Sequence, residues 1–170
     1  VERQPSTVQI GVVAFSDGGF ALQAPSNDQG ASLAAINRLT VQRGTSLGHG
    51  IESALNAIAA GTGQTQRLYS TLPATATPTP TPVPKGTHTS AVIVMITDGE
   101  NNQMPAPHTV AQTAADRGVP IYTEGIGSTA GTTPKANGFT VNTQLDEATL
   151  QQVATITDDT YRKPENDKEL

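Results

Sequence analysis

The chain has 170 residues, a net charge of −5, no Cys and no Trp. That length suits one domain with a real core. The mild acidic balance and scarce aromatics argue against a nucleic-acid footprint; the lack of Cys rules out disulfides and thiolate metal sites, and no apolar run approaches membrane-span length.

In chain order, Thr7 to Ser16 reads as an apolar, β-branched strand. Asp17-Gly18-Gly19 is a turn, and Phe20 to Ala24 a short return strand at an edge, ended by Pro25. Residues 31 to 39 repeat Leu33, Ile36 and Leu39 at helical spacing. A glycine-punctuated loop, Arg43 to Gly50, leads into a second helix with the stripe Leu47, Ile51, Leu55, Ile58 and Gly61 at its end. Thr45 or Ser46 is its natural N-cap, and hydroxyls beside a helix N-terminus favour anions and polar ligands. Residues 62 to 90 are Thr/Pro-rich and read as a surface insertion within a single domain spanning 1–170.

Ala91 to Ile96 run apolar without alternation, the pattern of a strand buried on both faces, and stop at Thr97-Asp98-Gly99. Ligands of open α/β sheets bind outside the carboxyl ends of the strands, which makes Asp98 a candidate contact; capping its own turn is the competing role. A helix from Pro107 to about Arg117 and a strand over Val119 to Ser128 follow. Strand, helix and strand make a βαβ unit with parallel strands. Asn137-Gly138 signals a hairpin, Asp146 caps a last helix with Leu150, Val153, Ala154 and Ile156 inward, and Thr160 to Arg162 is a short strand. Lys168 to Leu170 resembles the start of another helix.

These pieces, in this order, resemble a von Willebrand factor type A domain of the bacterial, membrane-associated or cell-surface kind. The resemblance rests on Val12 to Asp17, Gly44 to Gly48, Val92 to Asn101, Val119 to Gly127, and Leu145 to Leu150 with Tyr161. It implies a doubly wound, mostly parallel α/β sheet with one antiparallel edge strand. It also implies a non-enzymatic adhesion module whose divalent cation, Mg²⁺, Mn²⁺ or Ca²⁺, bridges to an acidic side chain of a protein partner. In the family the ligands are an Asp-x-Ser-x-Ser motif, a Thr and an Asp. Thr45 and Asp98 match the last two, with Gly44, Ser46, Glu100 and Asn101 as rim. No Asp-x-Ser-x-Ser occurs in this sequence.

The first, central strand is therefore expected to be missing and the domain cut at both ends. The metal site would be impaired, and the interval filled by an upstream segment, a second copy or a rearranged sheet. Two other readings remain. Gly44 to Gly48 also matches G-x-S-x-G, with Ser46, Asp98 and His108 in the order of an α/β-hydrolase esterase. Alternatively, the module is a structural, ion-independent interaction domain. His49, His88 and His108 are not at metal-ligand spacing, and Asp116, Asp158 and Asp159 read as turn formers or solvated charges, while Asp17, at the end of its strand motif, either borders the site or, the favoured role, forms the turn. A cell-envelope or extracellular setting is expected.

Overall fold

The structure is a computed structural model whose description covers residues 1, 4–40, 44–61, 82–84, 86–131, 135–136, 139–140 and 144–164. Most of the Thr/Pro-rich insertion and the expected start of a helix at 168–170 fall outside these residues.

Strands β1 (Ile10–Phe15) and β2 (Gly19–Ser26) form the expected antiparallel hairpin. Pro25 does not end β2. Twice the register gains a residue on β2, between the pairs Ile10↔Ser26, Val12↔Gln23 and Val13↔Ala21. Pro25 lies within the first of these bulges, on a strand whose only neighbour among the described residues is β1, where a missing N–H removes no inner ladder bond.

Helix α1 (Gln29–Asn37) starts two residues before its expected position, because Asp28 caps it by accepting the Ala31 N–H at 2.9 Å. Its buried residues are Ser32 and Ala35, while Ile36 and Leu39 are 40% and 48% exposed, against the expected stripe. Small side chains let the helix approach the hairpin closely, and the Ser32 hydroxyl donates to the Ile10 carbonyl at 3.3 Å.

Helix α2 (Leu47–Gly61) buries Leu47, Ile51 and Leu55, as its stripe requires. It packs on β1, on β2 and on helix α3 (Pro107–Asp116). Strands β3 (Ile93–Thr97) and β4 (Ile121–Gly125) are parallel, with Ile93 opposite Ile121 and Thr97 opposite Gly125. Strands β5 (Lys135–Ala136) and β6 (Phe139–Thr140) pair antiparallel, while the expected turn Asn137-Gly138 lies outside the described residues. Helix α4 (Glu147–Ile156) is capped by Asp146, which accepts the Thr149 N–H at 3.1 Å. Strand β7 (Tyr161–Arg162) extends the sheet beyond β4 in parallel.

One core joins Leu47, Ile51 and Leu55 of α2 with Ile93, Met95, Val110, Ala111, Ala114, Val119, Ile121 and Val153. These helices all cover one face of β3-β4-β7. The expectation that β3 is buried on both faces is corrected: Val94 and Ile96 are 60% and 50% exposed among the described residues.

The sheet itself is in two parts. The hairpin is one sheet and β3-β4-β7 another, with no ladder between β1 and β3 among the described residues. Helix α2 bridges them, and its glycines let it approach. A Cβ on Gly48 would collide with the Pro105 carbonyl oxygen, and one on Gly50 would meet the Phe15 ring at 2.9 Å.

Replacing Gly by Ala inside a helix normally adds up to about 1 kcal/mol of stability. At Gly48 the clash outweighs that gain, and denaturant unfolding of Gly48→Ala should show a loss of about 1–3 kcal/mol. At Gly61, where a Cβ would make ordinary contact with Pro25 at 3.5 Å, the same change should be neutral or stabilising.

Candidate ligand-binding crest

Three stretches meet at the carboxyl ends of β1 and β3. They are Ser16-Asp17, the loop Gly44 to Ser46 before α2, and Asp98 to Asn102. Their junction is built from hydrogen bonds that few local patterns announce. The Ser46 N–H donates to the Ser16 carbonyl at 2.6 Å. The Asn102 N–H donates to the Thr45 carbonyl at 3.1 Å, and the Asn102 Oδ1 accepts the Thr45 N–H at 3.0 Å. The Asn101 Oδ1 accepts the Leu47 N–H at 2.9 Å, and its Nδ2 donates to the Gln103 carbonyl at 2.7 Å.

Ser46 is fully buried. Its Oγ accepts the His49 N–H at 3.2 Å and donates to the Met104 carbonyl at 3.4 Å, so it is the N-cap of α2. It is neither a rim residue nor an exposed nucleophile, and the esterase arrangement loses its attacking group. The α2 terminus is also no ready anion site, since Asn101 and Ser46 already take two of its first N–H groups.

Asp98 stands half-buried at the end of β3. Its Oδ1 accepts the Glu100 N–H at 3.2 Å, and its carbonyl accepts the Asp146 N–H at 2.8 Å. Gly99 has φ +79°, and a Cβ there would lie 2.6 Å from the Asp146 carbonyl oxygen, so the turn after Asp98 requires glycine. Burial raises the Asp98 pKa above its ordinary 3.8; the nearby Glu100 charge adds to this, while the backbone N–H bonds pull it down. Glu100 is partly engaged, its Oε1 accepting the Gln144 N–H at 3.0 Å.

Asp17 sits closer to this crest than its turn role implies. Its carboxylate lies against Gly44, whose φ of +78° and lack of a side chain leave room for it beside Thr45. The signal was present in the sequence: like Asp98, Asp17 is an acid immediately beyond a strand end. His49 turns its Nδ1 to the Asp17 carbonyl at 3.2 Å. His88 and His108 are exposed.

The junction sets Asp17 against Gly44 beside Thr45, and ties Thr45 and Leu47 to Asn102 and Asn101 of the loop that Asp98 and Glu100 open. Among the described residues, no group of three or more His, Cys, Asp or Glu is placed to hold a metal ion. A hard divalent cation takes six or more oxygens, and one hydroxyl with the Asp98 carboxylate does not complete that shell. A cavity of about 770 Å³ opens at the far end of the sheet, lined by Val83, Gln112, Val119, Gln151 and Ile156 among others, and shares no residue with the crest.

Ionising Asp98 in its desolvated place costs the folded state. Because its pKa is raised on folding, the folded chain holds the proton more tightly, and stability falls as pH rises from the ordinary Asp range through the raised value. Asp98→Asn should therefore raise Tm at pH 7, and the difference from the parent chain should shrink below pH ~4 in thermal melts across pH.

A family model for the von Willebrand factor type A domain matches residues 1–169. The UPF0353 proteins of Mycobacterium ulcerans and Mycobacterium marinum are each 28% identical over 155 residues, covering 88% of this chain and 41% of theirs. The chain thus spans about two fifths of the length of those relatives. Among solved structures, BatB from Bacteroides thetaiotaomicron superposes with a TM-score of 0.68 at 18% identity, over 95% of this chain and 73% of that one. An aerotolerance-related membrane protein from Bacteroides fragilis gives 0.67 at 20% identity, over 93% and 72%. Proximal thread matrix protein 1 from the mussel byssus, with a zinc-occupied MIDAS motif, gives 0.53 at 18%, over 91% and 30%. These structural likenesses speak for the fold, and the family match covers nearly the whole chain: it belongs to the von Willebrand factor type A family.

Proposed function

We propose that this chain is a non-enzymatic protein-binding module that works through the crest at the carboxyl ends of β1 and β3. The observation that carries this reading is that the loop holding Thr45 and the loop that follows Asp98 are locked together by the Asn101 and Asn102 side chains. Fixed loops present a polar, acidic edge without the ordering cost that mobile loops incur on binding. The family is generally one of interaction and adhesion modules, and the fold neighbours include an aerotolerance-related membrane protein, which supports a cell-envelope setting.

Oxygen donors of this kind favour Mg²⁺, Mn²⁺ or Ca²⁺. Thr45 would offer a hydroxyl and Asp98 a carboxylate, directly or through an intervening water, with Gly44 and Glu100 bordering the contact. A bound divalent cation would supply attraction for an acidic side chain of the partner. With so few donors among the described residues, the site is impaired, and its affinity is weak. The desolvation that raises the Asp98 pKa also supports the reading, since a buried carboxylate lacking a cationic partner gains most from one.

Calorimetric titration of Mn²⁺ into the chain should give saturable binding with Kd on the order of 1 mM or weaker. Asp98→Ala should abolish it, and lowering the pH into the acid range should weaken it by protonating Asp98. Heats identical in parent and Asp98→Ala would remove the cation from the reading and favour an ion-independent interaction domain.

A further inference from the structure

The cavity of about 770 Å³ at the far end of the sheet is built by three pieces of chain. Gln112 and Asp116 come from the last turns of α3, Gln151, Thr155 and Ile156 from α4, and Val83 from the return leg of the Thr/Pro-rich insertion. That leg is fastened beside the cavity. The Val83 N–H donates to the Asp116 carbonyl at 3.0 Å, and the Thr89 N–H donates to the Gly118 carbonyl at 2.7 Å. Gly118 has φ +66°, and a Cβ on it would lie 2.7 Å from the Thr87 carbonyl oxygen, so the leg and the turn after α3 meet backbone to backbone. The insertion thus adds a wall to this end of the fold.

The electrostatics here have one sign. Helices α3 and α4 both end at the cavity, and a helix C-terminus carries partial negative charge. Cations in the last turn commonly offset that charge, yet neither helix has a basic residue there. Helix α3 ends instead on Asp116, whose Oδ1 accepts from the neutral Gln112 Nε2 at 2.9 Å. Among the described residues, no Lys or Arg lines the cavity. Arg117 is exposed and outside the lining, and Lys163 is held by Glu147 at 2.6 Å. Asp158, on the α4 side of the rim, already has a partner of its own, so the uncompensated charge is that of Asp116 and the two helix ends.

The rest of the lining selects among cations. A hard metal ion takes six or more oxygens, which one carboxylate does not supply. Phosphates and other anions are repelled. Val83 and Ile156 offer apolar surface, and Gln112 and Gln151 offer amide oxygens. The volume is that of a small-molecule site. We propose that this cavity is a second ligand site, for an organic cation: a guanidinium or primary ammonium on an apolar stem. The head would sit at Asp116 between the two helix ends, and the stem against Val83 and Ile156. This inference is independent of the metal reading of the crest.

The test is NMR titration of the 170-residue chain at about 0.15 M salt, which screens diffuse attraction to a net charge of −5. The probes are agmatine, a blocked Ala-Arg-Ala peptide, and the same peptide with neutral citrulline in place of arginine. Saturable shifts at the amides of Asp116, Gly118 and Thr155, with Kd on the order of 1 mM, are expected from agmatine, from the arginine peptide or from both, and none from citrulline. A response to agmatine alone identifies a free small cation as the ligand; a response to the peptide identifies a protein side chain. Asp116→Asn should weaken binding about tenfold. Thr155→Lys, at an exposed helical position, should abolish it by setting the chain's own ammonium at the rim. Asp98→Ala, which disables the crest, should leave it unchanged. No saturable shift with either charged probe, an equal response to citrulline, or binding untouched by both Asp116→Asn and Thr155→Lys would overturn the proposal.

Discussion

The bridging of two sheet fragments by α2 is the constraint on which the rest of the structure depends. A hairpin alone is marginal in water, and three strands covered on one face need a partner layer. Helix α2 supplies the layer for both, and the bonds of Ser46, Asn101 and Asn102 fix where its N-terminus sits. Without that junction the hairpin would keep its packing on α1 and the body of α2 but lose its alignment with β3. The crest exists because the same few hydrogen bonds that align the fragments also set three loops side by side.

Much of this was legible in the chain. Period and punctuation marked the hairpin, the α2 stripe, the β3-α3-β4 unit and the Asp146 cap, because each depends on residues within one turn or one strand of one another. The misreadings have a common cause. Ser32 and Ala35 carry the buried face of α1 because they are small, and a hydrophobicity pattern points to Ile36 and Leu39 instead. The apolar run of β3 states what the strand tolerates on its two faces; it does not state that Val94 and Ile96 are covered. Ser46 reads as a rim or a nucleophile until its partners at His49 and Met104 are seen. The second of these is 58 residues away, and no local pattern encodes it.

Asp98 illustrates how the proposed binding surface departs from what stability alone would select. Its carboxylate is partly desolvated, beside another acid, and on a turn that demands a glycine with positive φ. A sequence optimised only for folding would place a neutral residue there. Retaining an acid under those conditions fits the general exchange of stability for function, and Asp17 repeats the choice at the end of β1 without the same burial.

The outer boundaries of the sheet fragments differ in kind from the inner ones. Strand β2 carries two bulges and Pro25, and β7 is two residues long with Pro164 close behind. Both are poor templates for further strands, whereas Ala91 to Thr97 carries neither charge nor Pro. Edge-to-edge pairing is thereby disfavoured at both outer boundaries, which guards the chain against the open-ended stacking that leads to fibres.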